Sequence, residues 1–329
     1  MNIDLNALLV FFEVVNAESI TKAARRLGLP KSTVSRKIQH LESQVGSPLL
    51  KRRNRRITIT DEGLRLNDHC ARIAAEIEDA GLQARLYELL EVRGLASGRP
   101  PSVPALAGYA PGHLLIANEW LAGPSGSDLI DAGRANLAAQ LAATWLRASA
   151  GIRADFLPVC NLGRLLAHAE RQARALAAAD AALGAEAGRC LDALRSRSPG
   201  GGAPTLRHGS YYGRHVLDVG GGPGVLDWDE ACQGPIELDA GDWLAWLERH
   251  AGRTQPPERV KEAAAIFRQG IADLVEDEAL SWFQAQSLLK QAEYFVRKMP
   301  SGWRDRAAAL LAEAQRLDWQ ANRDRPARG

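Results

Sequence analysis

Cysteine is scarce in this 329-residue chain: Cys70, Cys160, Cys190 and Cys232 lie far apart, with no CxxC pair. That excludes a disulfide-stapled secreted scaffold and a zinc-finger pattern, and it fits a reducing, cytoplasmic compartment. No apolar run reaches the roughly 18 residues of a spanning helix, so no membrane partner is expected. Near the start, Asp4 and Glu13 flank a short apolar stretch with no basic leader, which does not read as a secretory signal. Lysine is missing between Lys51 and Lys261. Aromatics are only 6% of residues, but 46% are hydrophobic and 24% charged, a balance that excludes global disorder. The length suggests two domains, and no internal repeat is visible.

What is present is a segregation of charge. Residues 1–60 carry eleven Lys/Arg against four Asp/Glu, a net +7, while the remaining 30 basic and 35 acidic groups leave −5. A basic head on a slightly acidic body is the footprint of a nucleic-acid-binding module, although a solvated basic surface has the same charge. Leu5, Leu8, Leu9, Phe12 and Val15 recur at helical spacing. Ser19 can cap a second helix, Ile20–Leu27, that ends at Gly28. Pro30 suits the first turn of a third, Lys31 to Val45, stopped by Gly46. Residues 48–53 and 56–60 read as two strands around a basic turn. The pattern is helix, helix–turn–helix, then a basic wing.

A reading helix needs short polar donors and a basic residue in its first turns. Lys31, Ser32, Thr33, Ser35 and Arg36 meet that need and are the candidate base readers, with Arg36 able to pair a guanine edge. Lys37, Arg52, Arg53, Arg55 and Arg56 are candidates for neutralising phosphates. A winged domain used for protein contacts is the other reading of the same pattern. A long helix begins near Asp61, and Leu66, Cys70, Ile73, Ile77, Ala80, Ala84 and Tyr87 form a heptad seam. The seam fits a helical partner, or the helix's own domain.

Residues 3–80 resemble the LysR-type transcriptional regulators, through AESITKAARRLGLPKSTVSRKIQHLESQVGSPLLKRRNRRITITDEG. The paired alanines, the V-S-R of the third helix, L-E before V-G, P-L-L and I-T-D-E-G carry the match. The resemblance implies a winged helix–turn–helix and a linker helix that pairs antiparallel with a second copy. It implies a homodimer on double-stranded DNA, reading a pseudo-palindrome. It stops near residue 82, where the family's two α/β effector-binding subdomains do not follow.

Residues 205–247, TLRHGSYYGRHVLDVGGGPGVLDWDEACQGPIELDAGDWLAWL, resemble the C-terminal lobe of aminoglycoside-phosphotransferase-like small-molecule kinases, with similarity extending over roughly 85–320. His208-Gly209 matches that family's catalytic loop, Asp227 its metal-holding Asp, Asp239 its loop-bracing Asp, and residues 113–130 its hinge. Ser210 stands where the family has its catalytic carboxylate, and His215 where it has a metal-binding amide. Serine cannot accept the substrate proton at neutral pH. No glycine-rich phosphate loop or strand lysine precedes Asn118. Gly220–Gly222 reads as a hairpin turn, and His208, Asp227 and Asp229 as groups that brace loops or hold a metal. His215 reads as packed beside Tyr211 and Tyr212, 113–121 as a buried strand, and Trp120, Trp145, Trp243, Trp246 and Trp282 as core anchors.

The expected fold is therefore mainly α. A winged helix–turn–helix occupies 1–60, a linker and dimerisation helix 61–95, and a truncated, mostly helical kinase-like lobe with a short β-hairpin 96–329. The expected function is sequence-specific DNA binding in transcription regulation by a cytoplasmic dimer with a degenerate, pseudokinase-like body, no confident metal site and no cofactor. The body would serve oligomerisation or sensing of a small-molecule effector of unknown identity. The alternative is a small-molecule phosphotransferase, using ATP and magnesium, that acquired a DNA-binding head. A chance gene fusion is a third reading.

Overall fold

Helix caps and the three-to-four spacing of apolar residues build the first unit. The computed structural model describes residues 4–53, 56–96, 98–110, 115–197, 199, 203–251 and 256–323. Asp4 accepts the Asn6 amide at 2.9 Å and opens α1 (Leu5–Ala17). Ser19 accepts that of Lys22 and opens α2 (Ile20–Arg26). After a four-residue turn, α3 (Lys31–Val45) presents Val34, Ile38 and Leu41 to a core containing Phe11, Val14, Ala23 and Leu49. Strands β1 (Leu50–Arg53) and β2 (Arg56–Ile59) form an antiparallel hairpin in the register Leu50↔Ile59. Glu42 fixes this wing to α3: one carboxylate oxygen accepts the amides of Leu49 (2.9 Å) and Leu50 (3.1 Å).

The long helix α4 (Asp61–Val92) starts against the wing. The Thr60 hydroxyl accepts the Gly63 amide at 3.0 Å and donates to Pro48 O. A Cβ on residue 63 would lie 2.3 Å from Leu49 O, so only glycine lets the helix approach here. Chain contacts divide the protein into one unit of 1–84 and 106–117 and a second of 85–105 and 118–329. The division cuts through α4, so the last turns of the linker helix belong to the second unit.

The second unit is dominated by helices. These are α5 (Gly126–Asp131), α6 (Ala135–Ser149), α7 (Leu162–Ala179), α8 (Ala181–Ser196), α9 (Glu237–Ala251), α10 (Pro257–Ile271), α11 (Asp277–Lys298) and α12 (Trp303–Arg323). Asp180 breaks the alanine-rich stretch in two: its backbone is extended and its side chain accepts the amides of Ala182 and Leu183 to begin α8. Leu176, Leu191, Phe283, Leu288, Leu289 and Leu311 lie in the core that α7, α8, α9, α11 and α12 share. Short antiparallel pairs complete the unit: β5 (Thr205–Arg207) with β8 (Cys232–Gly234), and β6 (Val216–Asp218) with β7 (Pro223–Val225), the latter turned by the glycine run.

Two expectations fail around the hinge-like segment. Strand β3 (Leu106–Ala110) pairs with β4 (Leu115–Asn118), and β4 is not buried, Leu115 being 57% exposed. Trp120 is 90% exposed and anchors no core, whereas Trp145, Trp243, Trp246 and Trp282 are buried. A run of apolar residues cannot itself report whether a second layer covers it.

Candidate functional site

Two regions hold the sequence-derived candidates. On α3, Lys31, Ser32 and Arg36 are exposed, with Gln39 and Ser43 continuing the stripe at three- and four-residue spacing. Thr33 and Ser35 are half-buried. Pro30 supplies no side-chain cap to the N-terminus of α3. Lys37 pairs with Asp4 at 3.0 Å, which draws that carboxyl below its usual range. The side chains of Arg52, Arg53 and Arg56, and all of Arg55, lie outside the described residues. Lys22 and Arg25 are exposed on α2, where a first helix crosses a phosphate backbone. Sequence reading missed them, along with Gln39 and Ser43, although their spacing from the buried alanines and leucines was a usable signal.

The heptad seam is partly consumed within the chain. Leu66 and Cys70 pack on the helix–turn–helix core, Cys70 with no exposure, and Ala84 is buried. Tyr87 lies in the second unit, its phenol pushed up to about 12 by burial and by the nearby Asp229 and Asp227 carboxylates. Ala80 is half-buried; the side chains of Ile73 and Ile77 lie outside the described residues. A stripe that packs on its own domain looks, in sequence, like one that awaits a twin.

The second region is organised by Asp239, at the start of α9. Its two carboxylate oxygens accept the amides of His208 (2.8 Å) and Gly209 (2.9 Å), and Arg207 approaches one of them at 3.7 Å. Burial pushes the Asp239 carboxyl up against these three attractions. Gly209 has φ +76, and a Cβ there would stand 2.1 Å from Glu230 O. His208 is buried, donates through Nε2 to Leu226 O at 2.7 Å, stacks on His215 with centroids 5.4 Å apart, and meets Trp228 at 4.7 Å. Burial lowers both imidazoles to about 4, so both are neutral at pH 7.

Many polar groups of this loop are spent on one another, although Arg207 Nε and Nη1 and His208 Nδ1 are buried without a hydrogen-bond partner. His215 donates through Nδ1 to Ser210 O at 2.8 Å and accepts from Arg214 Nε at 2.8 Å. Asp227 lies 3.0 Å from the same His215 Nε2, on a residue of φ +66. Among the described residues no three His, Cys, Asp or Glu side chains gather as a metal site. A cavity of about 250 Å³ lies elsewhere in the unit, lined by Cys190, Leu194, Trp282, Ala285 and Leu317 with Arg189 and Arg197.

Residues 50–280 match the profile of the phosphotransferase enzyme family. The chain belongs to that family. Residues 5–64 match the bacterial regulatory helix-turn-helix proteins of the lysR family, and form a helix–turn–helix domain of that type. The two matches overlap on the wing and the first turn of α4. An HTH-type transcriptional regulator of Xanthomonas campestris pv. campestris is 51% identical over 80 residues, 24% of this chain and 23% of that protein. The regulator PtxR of Pseudomonas aeruginosa is 37% identical over 98 residues, 30% of each chain. The chain thus spans about a quarter of the length of these relatives. A glucosamine kinase structure is similar over 72% of this chain and 71% of its own, with TM-score 0.53 and 18% identity. A thermostable aminoglycoside phosphotransferase APH(4)-Ia covers 72% of this chain and 83% of its own at TM-score 0.50 and 16% identity. These two likenesses concern the fold.

Family membership implies a nucleotide and its magnesium, and the residues present do not fit them. The His215 nitrogen that faces Asp227 already accepts a hydrogen bond from Arg214. The residue after His208-Gly209 is Ser210, which carries no carboxylate, and no lysine lies between Lys51 and Lys261 to clamp a phosphate.

Proposed function

We propose that this protein is a sequence-specific DNA-binding transcriptional regulator whose phosphotransferase-family body serves as a non-catalytic scaffold or ligand sensor. The observation that carries the reading is α3: one face is buried through Val34, Ile38 and Leu41, and the opposite face offers Ser32, Arg36, Gln39 and Ser43 to solvent. Short polar side chains and a guanidinium on one exposed stripe match the donors and acceptors of a major-groove edge. The uncapped α3 N-terminus adds amides suited to a phosphate. Arg36 reads a base, while Lys22, Arg25 and the basic wing set affinity through phosphates.

The protein works as a homodimer on double-stranded DNA, through the part of α4 around Ile73, Ile77 and Ala80, because Leu66, Cys70 and Tyr87 are engaged elsewhere. Aspartate at both Ile73 and Ile77 places unpaired carboxylates in that seam and yields a monomer with most site affinity lost. A wild-type protein that sediments as a monomer at micromolar concentration removes this assembly. A small effector has its chamber at the cavity between Leu194 and Trp282. Selection of genomic fragments by the purified chain at fixed salt tests the main reading; no enrichment over bulk DNA sinks it.

Phosphoryl transfer to a small acceptor is the alternative, favoured by family membership. Its test is ATP turnover with amino- and hydroxyl-bearing acceptors. Turnover by the wild type that Asp227→Ala abolishes would make the second unit an enzyme.

A further inference from the structure

Two of the four cysteines meet beside the brace. Val159 and Gln233 form a parallel bridge; Cys160 N donates to Gln233 O at 2.7 Å, and Gln233 N to Pro158 O at 2.9 Å. The Gln233 side chain adds a bond to Leu157 O at 3.1 Å. This ladder lays residues 157–160 along β8 and sets Cys160 beside Gly234, on the face of the strand that also carries Cys232, so that the two thiols lie close enough to perturb one another. Residue 234 is glycine, and a Cβ there would crowd Cys160 Cβ at 3.2 Å. Both residues are half-buried, while Cys70 and Cys190 are buried.

The two sulfurs are chemically unequal. The neighbouring Cys232 holds the Cys160 thiol below its usual value, with Arg164 adding to the effect against burial. Cys160 also directly precedes Asn161, the N-cap of α7, whose positive helix end favours a thiolate. The Cys232 thiol is pushed up by its contact with Cys160 and by burial. A lowered thiol donor-stabilised by a neighbour is the arrangement in which one sulfur attacks and the other resolves.

We propose that Cys160 and Cys232 form a redox-active dithiol that closes reversibly to a disulfide, with Cys160 meeting the oxidant and Cys232 resolving it. The oxidant class is a small peroxide. The Cys160 thiolate attacks one oxygen of hydrogen peroxide, the O–O bond breaks, and hydroxide leaves to become water. The Cys232 sulfur then attacks the Cys160 sulfenic acid, the S–O bond breaks, and a second water leaves with the Cys232 proton. Two thiols and one peroxide give one disulfide and two waters, and a dithiol reductant reverses the change. The bond would tie residues 157–160 to the strand in which Cys232 stands opposite Arg207, the cation beside Asp239.

The test uses the full chain and does not depend on DNA binding or catalysis. Reduced protein is treated with hydrogen peroxide at neutral pH, alkylated, digested and mapped by mass spectrometry. Titratable thiols fall from four to two, the cross-linked peptide joins Cys160 to Cys232, and dithiothreitol restores all four. In Cys232→Ser, dimedone traps a sulfenic acid on Cys160. In Cys160→Ser, Cys232 is labelled far more slowly. Retention of four thiols under peroxide that oxidises a cysteine peptide, or cross-linking of any other pair, overturns the proposal. Equal labelling of the two sulfurs overturns the assigned roles. The mapping of the wild type requires no variant to fold.

Discussion

The α3 face and the loop from Arg207 to Asp242 are both rich in polar residues, and they spend them differently. On α3, Ser32, Arg36, Gln39 and Ser43 stand in water on a helix anchored by its other side. In the loop, Asp239 takes two backbone amides and a buried arginine, and His215 is held at both ring nitrogens. Ser287 donates to buried Asp242, and Lys290 lies 3.5 Å from that carboxylate. Polar groups left to water are available to a partner; polar groups buried and mutually satisfied specify a conformation. On the proposed function, the loop from Arg207 to Asp242 serves as architecture, while recognition belongs to the head.

The largest effect is expected at Asp239. Asp239→Ala strips two amides and leaves Arg207 buried without its carboxylate, a loss expected to cost about 3–5 kcal/mol. Denaturant unfolding of the purified variant measures it; a cost below about 1 kcal/mol would mean the brace is dispensable.

Acid should act on the same loop. An unfolded imidazole takes its proton near 6.5 and His208 only at about 4, so between these values the unfolded state binds more protons. Stability falls as pH drops through that window, by about 3 kcal/mol from His208 alone. Asp239 and Asp242, raised by burial, contribute in the opposite direction, so the measurement is a difference. The wild type should lose more stability than His208→Gln between neutral pH and pH 4, and parallel curves would refute the assignment.

On the head the effects belong to binding. Arg36→Ala should weaken a selected site by about 1–3 kcal/mol and relax preference at one base position, with bulk DNA binding little changed. Competition against substituted sites decides between base reading and simple attraction. Smaller again, Lys22→Ala or Arg25→Ala should weaken all sequences alike and reduce the slope of log affinity against log salt by about one.

The smallest effect is expected at the Asp4–Lys37 pair. It is partly exposed and contributes at most about 1 kcal/mol. Asp4→Asn keeps a residue suited to capping α1 while releasing Lys37, so stability should barely move and DNA affinity should rise modestly. Unchanged affinity would exclude Lys37 from the phosphate contacts.

Much of the head was legible because its signals are local. Ser19, Pro30 and the Val34–Ile38–Leu41 stripe each act within a few residues, and their caps and periodicity dictate the same helices in isolation from the rest. The Gly63 requirement was not legible, since it follows from Leu49 O approaching the helix. In the second unit, His208-Gly209 and Asp239 were recognisable as a motif. That Asp239 reaches the His208 and Gly209 amides, that Trp120 faces solvent, and that Cys160 lies close to Cys232 depended on segments distant in the chain.

By itself, then, the sequence determined the helical periodicity, the charged head and the two family patterns, because these depend on residue type at short, fixed spacing. Only the tertiary structure decided which stripes were covered and which polar groups were spent. Leu66 and Cys70 were committed to their own domain, the Asp239 carboxylate was closed by two amides, and two remote thiols were brought together. Those outcomes arise from long-range packing, where burial fixes the cost of every unpaired group, and no local spacing in the sequence carries that information.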